Sequence, residues 1–142
     1  MKAKHKLTAI IMALFLGVAS FADINTQVPV SAEAIAASGT YTSAAIDLTK
    51  VRGDNNSTQR PDGFFSAQVN VAGSGTVKVE YLLSNDGTNY VTPTGATEIA
   101  TGLTAGNTMH SFDPMVARYL KIKVTETGGA NAATVTVTLA IQ

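Results

Sequence analysis

From residue 40 to the end of the chain, apolar and polar residues change places at almost every step. Ala44, Ile46 and Leu48 alternate with Ala45 and Asp47, and Phe65, Ala67, Val69 and Val71 alternate with Ser66, Gln68 and Asn70. The same period of two runs through Val77, Val79 and Tyr81, through Leu120, Ile122 and Val124, and through Val135, Val137, Leu139 and Ile141. Side chains of an extended strand leave on opposite faces in turn, so each run buries one set and gives the other to solvent. No comparable helical stripe occurs after residue 22.

The breaks between runs are turn chemistry. Gly73-Ser74-Gly75 suits a tight hairpin between the strands on either side. Asn85-Asp86-Gly87 supplies residues that tolerate positive φ. Gly128-Gly129 predicts a second hairpin, joining the last two long strands through residues 127–132. Shorter strand candidates cover residues 90–92, 99–103 and 109–112, and Pro114, with no ladder donor, closes that region. Seven to eight short strands at this spacing specify an all-β chain, an antiparallel β-sandwich or jelly roll.

The first residues read differently. Lys2, Lys4, His5 and Lys6 precede an apolar run over residues 7–22, and Ser20-Phe21-Ala22 places small residues where a signal peptidase reads them. That run is shorter than the roughly 20 residues a stable membrane-spanning helix needs. The expectation is a signal-peptide helix at residues 1–22, a flexible or strand-exchange arm at 23–39, and a β-sandwich domain at 40–142. The product would be secreted or held at the cell surface, with no stable membrane span after cleavage.

Cleavage changes the electrostatics. The full chain is formally neutral, but residues 23–142 hold seven Lys plus Arg against ten Asp plus Glu, a net −3. A mildly acidic chain with no basic run has no electrostatic reason to bind nucleic acid. Cysteine is absent, so disulfides and thiolate metal sites are excluded, and an exported chain of this kind is held by core packing or by its neighbours.

Candidate chemistries are sparse. His110 is the sole histidine after residue 22, and its neighbour Ser111 falls on the opposite strand face, unsuited to a Ser-His-Asp site. Glu80 and Asp86 flank a turn, while Asp47, Glu98, Asp113 and Glu126 are scattered and read as solubilising surface charge. Asp54, Asn56, Thr58 and Asp62 offer hard oxygen ligands in the polar loop 52–63, so Asp54, Asn56 and Asp62 are the calcium candidates. That loop lacks the sixth-position Gly and terminal Glu of an EF-hand. It also contains Arg52-Gly53-Asp54, an integrin-ligand triplet, and two glycosylation acceptor patterns at Asn55 and Asn56. Arg118, Lys121 and Lys123 read as the guard of an edge strand. Phe64, Leu82 and Tyr119 fall on nominally outward positions, which points to a covered outer face. No cofactor is expected.

Two stretches carry a resemblance. Ser84-Asn85-Asp86-Gly87-Thr88-Asn89-Tyr90 resembles the hairpin of discoidin-like (coagulation factor type C) sandwiches and of small virion β-sandwich proteins, and Ala117-Arg118-Tyr119-Leu120-Lys121-Ile122 resembles the strand that follows it there. By length and by its Thr-rich last strand, the chain is also similar to short phage-associated or surface-layer structural domains. The resemblance spans residues 80–124 and implies that hairpin and strand share one sandwich core. It implies a glycan as a possible partner, with Tyr90 and Asp86 as ligand-binding candidates. The chain departs from discoidin-like domains in having no end-joining disulfide. The combined expectation is a non-enzymatic, self-associating subunit of an extracellular filament, surface layer or virion-type assembly, with a carbohydrate-binding or adhesion module as the alternative.

Overall fold

Alternation along single strands becomes, in three dimensions, two sets of side chains facing each other. The structure, a computed structural model, describes residues 25–51, 65–95 and 98–141. The expected signal segment and the loop holding Asp54, Asn56 and Asp62 lie outside the described residues, as does Phe64. The elements are β1 (Asn25–Ile35), β2 (Thr40–Thr42), β3 (Ile46–Asp47), the single-turn helix α1 (Leu48–Val51), β4 (Phe65–Gly73), β5 (Val77–Ser84), β6 (Ala100–Leu103), β7 (Gly106–Phe112), β8 (Tyr119–Glu126) and β9 (Ala133–Ile141).

One sheet runs β1-β9-β4-β7; the other runs β2-β8-β5-β6, with β3 also pairing to β8. Every pairing is antiparallel. The chain is therefore an antiparallel β-sandwich. All connections between consecutive strands cross from one sheet to the other, except β2 to β3 and β5 to β6.

The core lies between the sheets and follows the sequence parity. Val69, Val135, Val137 and Leu139 from the first sheet meet Val77, Val79, Leu120, Ile122 and Val124 from the second, all fully buried. Phe112 packs at 5.4 Å from Phe65 and 5.5 Å from Tyr81, closing one side of the core with three rings. Burying each such aliphatic side chain contributes about 1.5–3 kcal/mol, so this stripe dominates stability in a chain without disulfides.

Two expected hairpins are instead crossovers. β4 pairs with β7 and β9, while β5 pairs with β6 and β8, so Gly73-Ser74-Gly75 joins strands of opposite sheets. β8 and β9 likewise belong to different sheets, and residues 127–132 bridge them. The two connections nest on one another. The Gly75 N–H donates to Ala132 O at 3.1 Å, and a Cβ on Gly75 would stand 2.8 Å from Asn131 O. Each uses the other's backbone where a hairpin would use its own.

Three further expectations are corrected. The segment expected as a flexible or strand-exchange arm forms, over Asn25–Ile35, an edge strand on the chain's own β9, with Val30 and Ile35 buried. Residues 90–92 contribute only an isolated bridge, Val91 to Leu83. The basic residues of β8 guard no edge, because β8 is interior, flanked by β5 on one side and β2 and β3 on the other. Among the described residues no helix is long and apolar enough to cross a membrane.

Candidate functional site

The Ser84-Asn85-Asp86-Gly87 stretch leaves the end of β5 as a turn organised around one carboxylate. Asp86 Oδ1 accepts from Ser84 Oγ, Thr88 N and Asn89 N, each at 2.8 Å, and Oδ2 accepts from Asn89 Nδ2 at 2.8 Å. The Gly87 N–H donates in turn to Ser84 Oγ at 3.0 Å. The Asn89 backbone N–H, its side-chain amide, the Thr88 N–H and the Ser84 hydroxyl hold the Asp86 carboxyl well below the usual carboxylate range. Gly87 sits at φ 75°, and a Cβ there would meet the Tyr119 ring at 3.1 Å. Glycine is required on both counts.

The two stretches that carry the resemblance touch. Ser84 pairs with Tyr119 across the β5–β8 ladder, and Asn85 Oδ1 accepts from the Arg118 N–H at 3.2 Å. Arg118 lies over the Tyr119 ring at 5.0 Å, and Lys121 Nζ lies 4.0 Å from the Tyr90 ring centre. An ammonium that close to a ring face is a favourable cation–π contact. The Tyr90 hydroxyl is buried without a hydrogen-bond partner among the described residues. Burial, with Tyr119 and Asp86 adding, pushes its pKa up, so the phenol stays neutral.

Beside this turn opens a groove of about 590 Å³, whose lining includes the polar Asp86 and Asn89 and the apolar Val91, Pro93, Met115 and Val116. Val91, Met115 and Val116 are 62%, 63% and 63% exposed. The predicted pair Asp86 and Tyr90 thus share one turn, but only Asp86 reaches the groove, and its oxygens are occupied by the turn itself. The apolar lining was not foreseen. Residues 113–117 have no period to read, and their exposure depends on where β7 ends relative to β8.

Other titratable groups are spread through the sandwich. Glu80 lies between Lys78 Nζ at 3.0 Å and Lys123 Nζ at 3.4 Å on the outer face of the second sheet. Burial pushes its carboxyl up, but the hydrogen bond from Lys78 and the charge of Lys123 outweigh burial and leave it lowered. Asp47 caps α1, accepting from Thr49 N at 3.1 Å and Thr49 Oγ1 at 2.6 Å. His110 Nε2 lies 3.1 Å from Thr108 Oγ1 on β7. Leu82 and Tyr119 are half-buried rather than openly exposed.

Glu126 is the largest departure from the sequence reading. It is not surface charge: it is 2% exposed and accepts four backbone N–H groups. Oε1 takes Thr76 N at 3.1 Å and Gly128 N at 2.7 Å; Oε2 takes Ser38 N at 2.8 Å and Gly129 N at 2.9 Å. The Ser38 N–H leads these bonds, which overcome the cost of burial and hold the carboxyl at about 2. One side chain ties three crossover connections together. Among the described residues no cluster of His, Asp or Glu could hold a metal ion.

No family model matches the chain, and no curated protein matches it. Among solved structures, the chain is similar to one in the structure of infectious bursal disease virus Gx strain, at TM-score 0.47 and 16% sequence identity, over 84% of this chain and 31% of that one. The chain therefore spans less than a third of that protein's length.

Proposed function

We propose that the chain is an exported, non-enzymatic structural protein that self-associates as a subunit of an extracellular filament, surface layer or virion-type assembly. The observation that carries this reading is the gathering of Val91, Met115 and Val116 around one groove, with Met109 also exposed on the edge strand β7, although none of them belongs to the buried core. Large apolar side chains grouped on a surface are unfavourably hydrated, and covering them with another surface lowers the free energy. Four of the seven acids of the described region fit the same reading, since Asp47, Glu80, Asp86 and Glu126 are each engaged by the fold's own donors. Export rests on the basic, apolar and small-residue pattern of residues 1–22.

A glycan-binding role has less behind it. Sugar stacking needs an open aromatic face, and Lys121 occupies one face of Tyr90. A glycan array read with wild type and Tyr90→Ala tests that alternative; a signal lost in the variant would favour it.

Negative-stain electron microscopy of protein recovered from the culture medium, with its N-terminal residue determined, tests the main reading. Ordered assemblies built from a chain starting near Asp23 are expected. Dispersed single particles, or retention of residues 1–22 inside the cell, would contradict it.

A further inference from the structure

We propose that β7 is the edge through which two copies of this chain join, pairing antiparallel about Met109. The proposal rests on the self-association reading and names the surface responsible.

An edge strand presents a row of unpaired N–H and C=O groups, and stable monomers blunt such edges with prolines, charges, bulges or brevity. Three of the four sheet margins here are blunted. β1 contains Pro29 and Glu33, breaks register twice against β9, and holds Ala32 at φ 48°. β2 and β3, on the outer side of β8, have three and two residues. β6 has four residues, a register irregularity against β5, and Gly102 at φ 68°. β7 shows one such feature, at its first residue, where Gly106 sits at φ 144°; from Asn107 to Phe112 it shows none. Its seven residues, Gly106-Asn107-Thr108-Met109-His110-Ser111-Phe112, include no Pro, Lys, Arg, Asp or Glu. Its register against β4 runs unbroken from Val71–Gly106 to Phe65–Phe112. Among the described residues no strand pairs with its other side.

A second copy is the occupant that the chemistry fits. A strand without formal charge meets no like charge when a two-fold axis lays it against itself, whereas β5 and β8, interior strands of the other sheet, carry Lys78, Glu80, Lys121 and Lys123. Centred on Met109, the pairing sets Met109 against Met109, Thr108 against His110, and Asn107 against Ser111. Polar side chains then face polar side chains at these positions, and the one exposed large apolar side chain of the strand, Met109 at 65%, is covered by its own copy. The two four-stranded sheets become one continuous sheet across the dimer. An isologous contact of this kind closes on itself.

The chain has no cysteine, so one substitution introduces a single thiol. Directly opposed residues of an antiparallel pair lie about 4.5–5.5 Å apart at Cα, within disulfide reach. Met109→Cys in the full-length chain should form disulfide dimers about tenfold or more faster than Met115→Cys, a control of nearly equal exposure, because a preformed pair raises the effective thiol concentration. Met109→Lys should raise the midpoint concentration for association about tenfold or more, with an unchanged circular dichroism spectrum, since two lysines would oppose each other. Equal crosslinking of the two thiols, with association unaltered in Met109→Lys, would overturn the β7 assignment and leave self-association standing. A wild-type chain of single-chain mass at every concentration would remove both.

Discussion

Glu126 draws its four donors from three places that are distant in sequence: Ser38 after β1, Thr76 before β5, and Gly128 and Gly129 after β8. Its carboxyl lies at about 2 in the folded chain against an ordinary 4.5. A depressed folded value gives stability that is present above the unfolded value and lost as pH falls through the folded one. Thermal unfolding followed from pH 7 downward should therefore show a fall in melting temperature concentrated between about 4.5 and 2. Glu126→Gln should melt lower at neutral pH and lose much of that acid dependence; a variant with the wild-type profile would refute the anchoring role. The sequence did contain the signal. Leu120, Ile122 and Val124 point inward, and Glu126 is the next position of the same parity. Its charge outweighed its position in the reading, because one sequence does not reveal that backbone donors wait at that spot. Asp86 is the complementary case: Asx chemistry within a turn is local, so Ser84-Asn85-Asp86-Gly87 was legible, although the carboxylate serves the turn itself.

Among elements, the alternating strands were legible because burial parity is a local property, and β4, β5, β8 and β9 fall where it places them. Their partners were not. A glycine-rich connection signals a sharp reversal, but the same residues serve a hairpin within one sheet or a crossover between two, and both keep the apolar faces inward. What decides here is contact between the two connections, as Gly75 packs on Asn131 and Ala132. Gly75→Ala must push against backbone atoms that cannot rotate away, at a cost of about 1–3 kcal/mol. Ile122→Ala, fully buried on β8, should cost about 2–5 kcal/mol through lost burial and the cavity left behind. Denaturant titration measures both, and Gly75→Ala unfolding at the wild-type midpoint would contradict the nested crossovers. β1 escaped the sequence reading because its bulges and Pro29 break the period of two. Yet Val30 and Ile35 complete the core, and β1 covers β9. Removing residues 23–39 should lower the melting temperature and promote aggregation by exposing β9; calorimetry with light scattering would read both, and an unchanged melt would show β1 to be dispensable.

At the scale of the whole molecule, two sheets with six sheet-crossing connections give a core that is complete within one chain. Most of its margin is protected. What stays open is a regular, uncharged β7 and an apolar groove wall that begins three residues beyond it at Met115. Neither was visible as a site in the sequence, since exposure at an edge depends on which strand ends each sheet. Composition points in the same direction by a different route: a cysteine-free chain has no disulfides, and the export proposed for it would leave packing and neighbours to rely on. Self-association is the claim on which the proposed role depends. Sedimentation velocity of the wild-type chain over a concentration series reaching about 1 mM, where even a weak interface fills, tests it directly. The account predicts a weight-average mass that climbs with concentration to at least that of two chains. A mass of one chain throughout the series would contradict it.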